Sequence, residues 1–303
     1  MSTSLLIITG PTACGKTARA VQCARAFNGE IISADSRQIY RGMDLGTGKD
    51  LHEYGEVPFH LIDIADAGYK YNLYEYLRDA RAAIDLVRSR GRLPILCGGT
   101  GLYVEAILNG LELPEVPANP DLRARLEGLS LAQLTDMLAQ MKTLHNTTDV
   151  DSTKRAIRAI EIETFYQQHP DAANLATPHP IADAVTICLD IPRDLRRQRI
   201  SDRLRRRLDD GMVDEVRQLI ASGINPDDLI YYGLEYKYLT EYVIGRYSFD
   251  EMFRQLEIAI HQFAKRQMTW FRGMERRGHT LHHIPFNLPH SDFIAQVAQI
   301  ANL

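Results

Sequence analysis

Short apolar runs alternate with longer amphipathic stretches along the first hundred residues. Leu5-Leu6-Ile7-Ile8 is followed by a glycine-bounded loop and then an alanine-rich helical stretch that ends at Asn28-Gly29. Apolar runs of this length between polar or glycine punctuation predict buried strands. Glu30-Ile31-Ile32-Ser33-Ala34, Phe59-His60-Leu61-Ile62-Asp63 and Pro94-Ile95-Leu96-Cys97 read the same way. Between the last two, Leu73, Leu77, Ile84 and Val87 recur at helical spacing, which predicts a helix over 73–90 stopped by Gly91. Strands alternating with helices imply a parallel α/β sheet flanked by helices.

The texture changes after Leu111. Pro114, Pro117 and Pro120 open a stretch with helical segments from Asp121 to about Gln168 and no convincing strand, closed by the Pro- and Ala-rich 169–180. Strand character returns at Val185-Thr186-Ile187-Cys188-Leu189, and long helices are expected over 193–221 and 249–273. The predicted organisation is a discontinuous core, 1–115 and 180–303, interrupted by an all-helical module at 116–179.

Hydrophobic residues make up 45% of the 303 and charged residues 24%, so disordered and fibrous classes are excluded. Four scattered cysteines provide neither a disulfide framework nor a zinc knuckle, and a reducing compartment is expected. Met1 to Ile8 has no basic leader and reads as a strand, and no apolar run nears the ~20 residues of a membrane span. A cytoplasmic protein with no membrane partner is the expectation.

Gly10-Pro11-Thr12-Ala13-Cys14-Gly15-Lys16-Thr17 fits G-x-x-x-x-G-K-S/T between a predicted strand and a predicted helix. The glycines turn backbone N–H groups inward around phosphate oxygens, Lys16 adds a point charge, and Thr17 offers a hydroxyl to Mg²⁺. A diphosphate or triphosphate site is therefore expected. A P-loop nucleotide kinase would place an Asp for Mg²⁺ at the end of a core strand. The strand ending at Cys97 delivers Gly98-Gly99-Thr100 instead, with Asp63 a substitute elsewhere. Asp35, in Ser33-Ala34-Asp35-Ser36, stands at the ligand-binding end of the second strand, either as a catalytic carboxylate or as a cap for the following turn.

With these residues in view, the chain resembles the tRNA dimethylallyltransferases. The resemblance rests on GPTACGKT (10–17), SADSRQIYRGMDLGTGK (33–49), HLID (60–63), GRLPILCGGTGLY (91–103) and FAKRQMTWFRG (263–273). It implies transfer of a dimethylallyl group from dimethylallyl diphosphate to the exocyclic amine of the adenosine 3′ of the anticodon. Residues 10–17 would then hold a prenyl diphosphate with Mg²⁺, Asp35 would orient the amine, and Arg203 or Arg199 would help hold the diphosphate. It further implies tRNA contacts from Asp35, Ser36, Arg37, Gln38 and Thr100, although Thr100 also suits a turn hydroxyl. In the module it implies contacts with the anticodon stem-loop from Arg123, Lys154, Arg155, Ala156, Ile157 and Arg158. Asp151 and Glu161 could instead pair with those bases.

Net charge sharpens this picture. The chain totals −4, yet residues 193–207 carry eight arginines against two aspartates and 261–277 carry five basic residues against one acid. Concentrated positive charge on an acidic protein is what a phosphate-reading surface requires. The chain departs from the commonest bacterial pattern at Cys14, which suggests oxidation sensitivity, at Gly48 and Asp50, and at Tyr231 to Lys237. A prenyltransferase for free adenine nucleotide and a P-loop kinase stay open as alternatives. A monomer is expected.

Overall fold

The computed structural model describes residues 3–144, 148–175 and 178–303. The chain separates into two compact units, Met1–Asn109 with Pro180–Leu303, and Gly110–His179. In the first, β1 (Leu5–Thr9), α1 (Lys16–Ala26), β2 (Gly29–Ser33), β3 (Phe59–His60), α2 (Leu73–Ser89), β4 (Leu93–Cys97) and α3 (Gly101–Leu108) precede the break.

The second unit contains α4 (Pro120–Leu126), α5 (Leu131–Met141), α6 (Thr153–Gln168) and α7 (Pro170–Leu175). The first then resumes with β5 (Ala184–Asp190), α8 (Arg193–Asp209), α9 (Met212–Ala221), α10 (Pro226–Tyr231), α11 (Leu234–Val243), α12 (Phe249–Arg276), β6 (His282–Pro285) and α13 (His290–Ala301). No helix among the described residues is long and apolar enough to cross a membrane.

The six strands form one parallel sheet in the order β3-β2-β4-β1-β5-β6. β1 and β2 are fully buried, as apolar runs sandwiched by helices should be. Parallel strands align their C-terminal ends, so the loops after β1, β2 and β4 emerge side by side at one edge. Asn72 and Glu75 form a capping box at the start of α2, and Ser248 and Glu251 form another at α12.

Several boundaries differ from the expectation. The third strand stops at His60 because Leu61 and Asp63 adopt left-handed backbone (φ 62° and 56°), which breaks the ladder. The long helix expected over 193–221 divides at Gly211, whose φ of 99° ends α8 and starts α9. α3, β6 and α13 went unread, β6 because a four-residue edge strand with two histidines and a proline has no apolar run. The second unit begins at Gly110, six residues before the expected start at 116. Gly110 has φ 56°, and a Cβ there would lie 1.9 Å from the carbonyl oxygen of His179, so the entering and leaving chain touch.

The helical unit has its own core of Leu122, Leu126, Leu134, Leu138, Ala156, Ala159 and Ile160. Asn119 caps α4, with Pro120 at its first turn. Lys142 pairs with Asp149 and Glu163 at 3.0 and 3.2 Å.

Candidate active site

The loop after β1 wraps as the motif requires. Ala13 (φ 65°) and Gly15 (φ 81°) turn the backbone left-handed, and Lys16 Nζ donates to the Pro11 carbonyl at 2.9 Å. Gly10 is a packing requirement, since a Cβ there would meet Cys14 Sγ and the Leu189 carbonyl oxygen at 3.0 Å. Cys14 is 1% exposed, and burial pushes its thiol up against the opposing charge of Lys16. A shielded, protonated thiol is a poor target for oxidants, so the oxidation sensitivity expected of the loop has no support here.

Two arginines of α8, one helical turn apart, reach this loop. Arg199 Nε donates to the Ala13 carbonyl at 2.9 Å, and Arg203 hydrogen-bonds the Thr12 hydroxyl. Burial and then the charge of Arg207 push the Arg203 guanidinium down to about 10, with Glu235 and Asp50 opposing. A crowded cation of this kind is relieved by an anion beside it, so the arrangement suits a bound diphosphate.

Across the edge, the loop after β2 presents Asp35. One of its oxygens accepts the Arg37 backbone N–H at 2.9 Å, so the carboxylate does cap the local turn, and Asp35 also lines the cavity. Thr100, after β4, accepts the Ser36 N–H at 3.1 Å and lies 3.4 Å from the Ser36 hydroxyl. Gly98 is required beneath it, because a Cβ there would fall 2.2 Å from the Ala34 carbonyl oxygen. Gln38 is mostly withdrawn from the surface: it accepts from Ser33 Oγ at 3.0 Å and donates to the Gly48 carbonyl at 3.1 Å. Its side chain holds loops together.

These elements surround a cavity of about 1070 Å³ lined by Thr12, Ala13, Gly15, Lys16, Thr17, Asp35 to Gln38, Thr100, Arg199 and Arg203. Every core site residue expected from the sequence is therefore in one place, except that Gly10, Pro11 and Cys14 lie behind its wall. The volume exceeds what a diphosphate alone needs. Leu102, Phe263 and Trp270 add an apolar side, and Trp270, 39% exposed, is a wall residue here and no core filler.

The structure also reveals residues that the motifs did not single out. Gln267 accepts the Thr12 N–H and donates to the Gly99 carbonyl, both at 2.8 Å, joining the loops after β1 and β4 through α12. Its place inside FAKRQMTWFRG was the only signal. Arg207 packs on Gly48, where a Cβ would lie 2.2 Å from its guanidinium, and pairs with Asp50 at 3.0 Å. Gly48 and Asp50, both departures from the family pattern, thus serve one arginine. In the segment 231–237, Tyr232 and Tyr236 are buried, while Glu235 faces the cavity with its carboxyl pushed up by burial and restrained by Arg203 and Arg207.

Asp63 is not available as a metal ligand, because it holds the fully buried Lys49, which also pairs with Asp44 at 2.5 Å and donates to the Tyr40 carbonyl at 2.6 Å. His60 bonds Glu30 at 2.7 Å at the strand end. Thr17 lines the same cavity. With Asp35, Asp50 and Glu53 it gives the cavity wall hydroxyl and carboxylate oxygens, donors that fit Mg²⁺.

In the helical unit, Arg123 makes a two-pronged pair with Glu161, both distances 2.9 Å, and Arg158 bonds Glu161 and the Val116 carbonyl. Burial pushes the Glu161 carboxyl up, but the bonds from Arg123, the Asn119 N–H and Arg158 prevail and hold it at about 2. Arg155 pairs with Asp151. Ala156 is fully buried in the unit's core and Ile157 packs against it, so the side chain of Ala156 is unavailable to RNA for want of exposure. Exposed Lys154 joins Arg123, Ile157 and Arg158 around a groove of about 540 Å³.

The chain is similar to known proteins along nearly its whole length. The family model described as IPP transferase matches residues 38–274, and that described as Isopentenyl transferase matches 3–56. The chain is 59% identical to tRNA dimethylallyltransferase 2 of Bacteroides fragilis over 97% of both chains. It is 56% identical to tRNA dimethylallyltransferase 1 of Parabacteroides distasonis, over 99% of this chain and 98% of that one. The crystal structure of the tRNA isopentenylpyrophosphate transferase of Bacillus halodurans superposes with a TM-score of 0.71 at 32% identity, covering 97% of this chain and 94% of the other. With its motifs brought to one cavity and relatives this similar over nearly its whole length, the chain belongs to the tRNA dimethylallyltransferase (IPP transferase) family.

Proposed function

We propose that this protein transfers a dimethylallyl group from dimethylallyl diphosphate to the exocyclic amine of the adenosine 3′-adjacent to the anticodon of tRNA, releasing diphosphate. The observation that carries the reading is the single cavity lined both by the phosphate loop with Arg199 and Arg203 and by Asp35. The allylic carbon–oxygen bond breaks, its electron pair leaves with diphosphate, and the amine nitrogen bonds the allylic carbon.

Leaving-group charge is stabilised by the loop amides, Lys16, Arg199 and Arg203. Bound at Thr17, Mg²⁺ would supply further charge neutralisation to the diphosphate. Asp35 accepts a hydrogen bond from the amine, orients it, and takes its proton as the new bond forms. The apolar side made by Leu102, Phe263 and Trp270 suits a prenyl tail or a base turned out of its stack. Ser36, Arg37 and Thr100 frame the acceptor. In the helical unit, Lys154, Arg155, Arg123 and Arg158 would position the stem-loop through its phosphates.

Donor loop, carboxylate and arginines all come from one chain, which supports a working monomer. The four buried, unpaired thiols suit the cytoplasm. Labelled dimethylallyl diphosphate offered with unmodified tRNA or AMP, and ATP offered alone, tests the reading. Label in tRNA is the expected result. Label in AMP alone would favour a free-nucleotide acceptor, and phosphate transfer from ATP a kinase.

A further inference from the structure

We propose that Cys188, Asp190 and His283 form a zinc site at the outer edge of the sheet, apart from the diphosphate cavity. Cys188 and Asp190 are two residues apart on β5 and therefore share one face of the strand. His283, on the neighbouring edge strand β6, stands directly opposite Cys188 in the parallel register. The sulfur, a carboxylate oxygen and an imidazole nitrogen all lie within 4.8 Å of one another. Tetrahedral ligands at about 2.0–2.3 Å from a zinc ion are themselves about 3.3–3.6 Å apart, so small side-chain rotations close the site.

The imidazole is already oriented for this role. Nδ1 faces Asp190 Oδ1 at 2.9 Å, and Nε2 faces Glu275 Oε1, from the last turn of α12, at 3.0 Å. An outer carboxylate on the far nitrogen presents the near one to a metal, the arrangement that fixes histidine ligands in zinc proteins. A thiolate, an imidazole and one carboxylate select zinc over Mg²⁺ or Ca²⁺, which prefer oxygen alone. Cys188 is buried, whereas the side chains of His283 and Asp190 are 36% and 50% exposed, leaving an entry path and room for a water as fourth ligand.

The site would act as a structural clamp. Cys188 is registered with Thr9, the residue before the phosphate loop, and Glu275 lies on the helix that carries Gln267. The ion would therefore fasten edge strand β6 and the end of α12 to the strand beside that loop.

Chelator-stripped protein titrated with Co²⁺ as a zinc surrogate, and with Zn²⁺ against a chromophoric competitor, provides the test. The expected result is one ion per chain with a near-ultraviolet thiolate-to-cobalt band. The band should vanish in both Cys188→Ala and His283→Gln, and zinc affinity should fall about 10–100-fold in Glu275→Gln. His283 is at the surface, so its variant remains informative if loss of the buried thiol disturbs folding, with circular dichroism as the check. Absence of stoichiometric uptake by the unaltered protein, or a band persisting in both ligand variants, would overturn the proposal.

Discussion

Gln267 accepts the backbone N–H of Thr12 at 2.8 Å while donating to the Gly99 carbonyl at the same distance, so one side chain on α12 sets the spacing between two loops of the site. Gln267→Ala removes both bonds and leaves two main-chain groups short of partners, which costs about 1–3 kcal/mol. A lowered urea midpoint together with a raised KM for the prenyl donor is expected. Unchanged donor KM would show that the phosphate loop holds its shape without this brace.

Asp35 faces the cavity with one oxygen already engaged by the Arg37 N–H. Asp35→Ala should reduce single-turnover transfer by roughly 10²–10⁴-fold, the usual contribution of a positioned base. Donor binding, measured by calorimetry, should stay close to normal. Near-normal turnover would remove Asp35 from the mechanism.

Arg203 meets Thr12 across the phosphate loop. Arg203→Ala should weaken donor binding by about 1.5–3 kcal/mol, the worth of a hydrogen bond to a charged group. Because its guanidinium is pushed down to about 10, donor affinity in the unaltered protein should decline as pH rises through that value, where Arg203 loses its proton. The Arg203→Ala protein should lack that part of the decline.

Gly48 adopts φ 66° with the Arg207 guanidinium pressed against it. Gly48→Ala adds both left-handed strain and a clash, and should destabilise the protein by about 1–3 kcal/mol, read as a lower Tm. Arg207 would be pushed from Asp50, so Asp50→Asn in the Gly48→Ala background should add less than it does alone.

The helical unit should be acid-sensitive. Glu161 is held at about 2 in the folded state, below its ordinary 4.5, so its contribution is present above pH 4.5 and is lost as pH falls toward 2. The shift corresponds to roughly 3 kcal/mol. Hydrogen exchange across residues 120–168 should accelerate over that interval in the unaltered protein and much less in Glu161→Gln.

The alternation of apolar runs and amphipathic stretches determined by itself that a parallel sheet carries the phosphate loop, because strand burial and helix periodicity are local properties of the chain. The loop residues 10–17 were legible for the same reason: their chemistry depends on a short continuous stretch. Charge concentration on 193–207 marked a phosphate-reading surface, whereas Arg199 and Arg203, which reach that loop, came into view through the family resemblance.

Only the tertiary structure decided which side chains share the cavity. Gln267 lies 255 residues from Thr12 in the chain, and its place inside FAKRQMTWFRG does not say which partner it meets. Arg207 and Asp50 meet across 157 residues of sequence, with Gly48 beside them, so two departures from the family pattern read as unrelated until the guanidinium is seen between them. Left-handed backbone at Leu61 and Asp63 ended a strand that hydrophobicity would have continued, with Asp63 drawn to Lys49. Pattern identifies elements because it records which face is buried. Partners brought together by the packing of distant elements leave no such periodic trace, and that is why the cavity wall and the Cys188, Asp190 and His283 cluster emerged only from the folded chain.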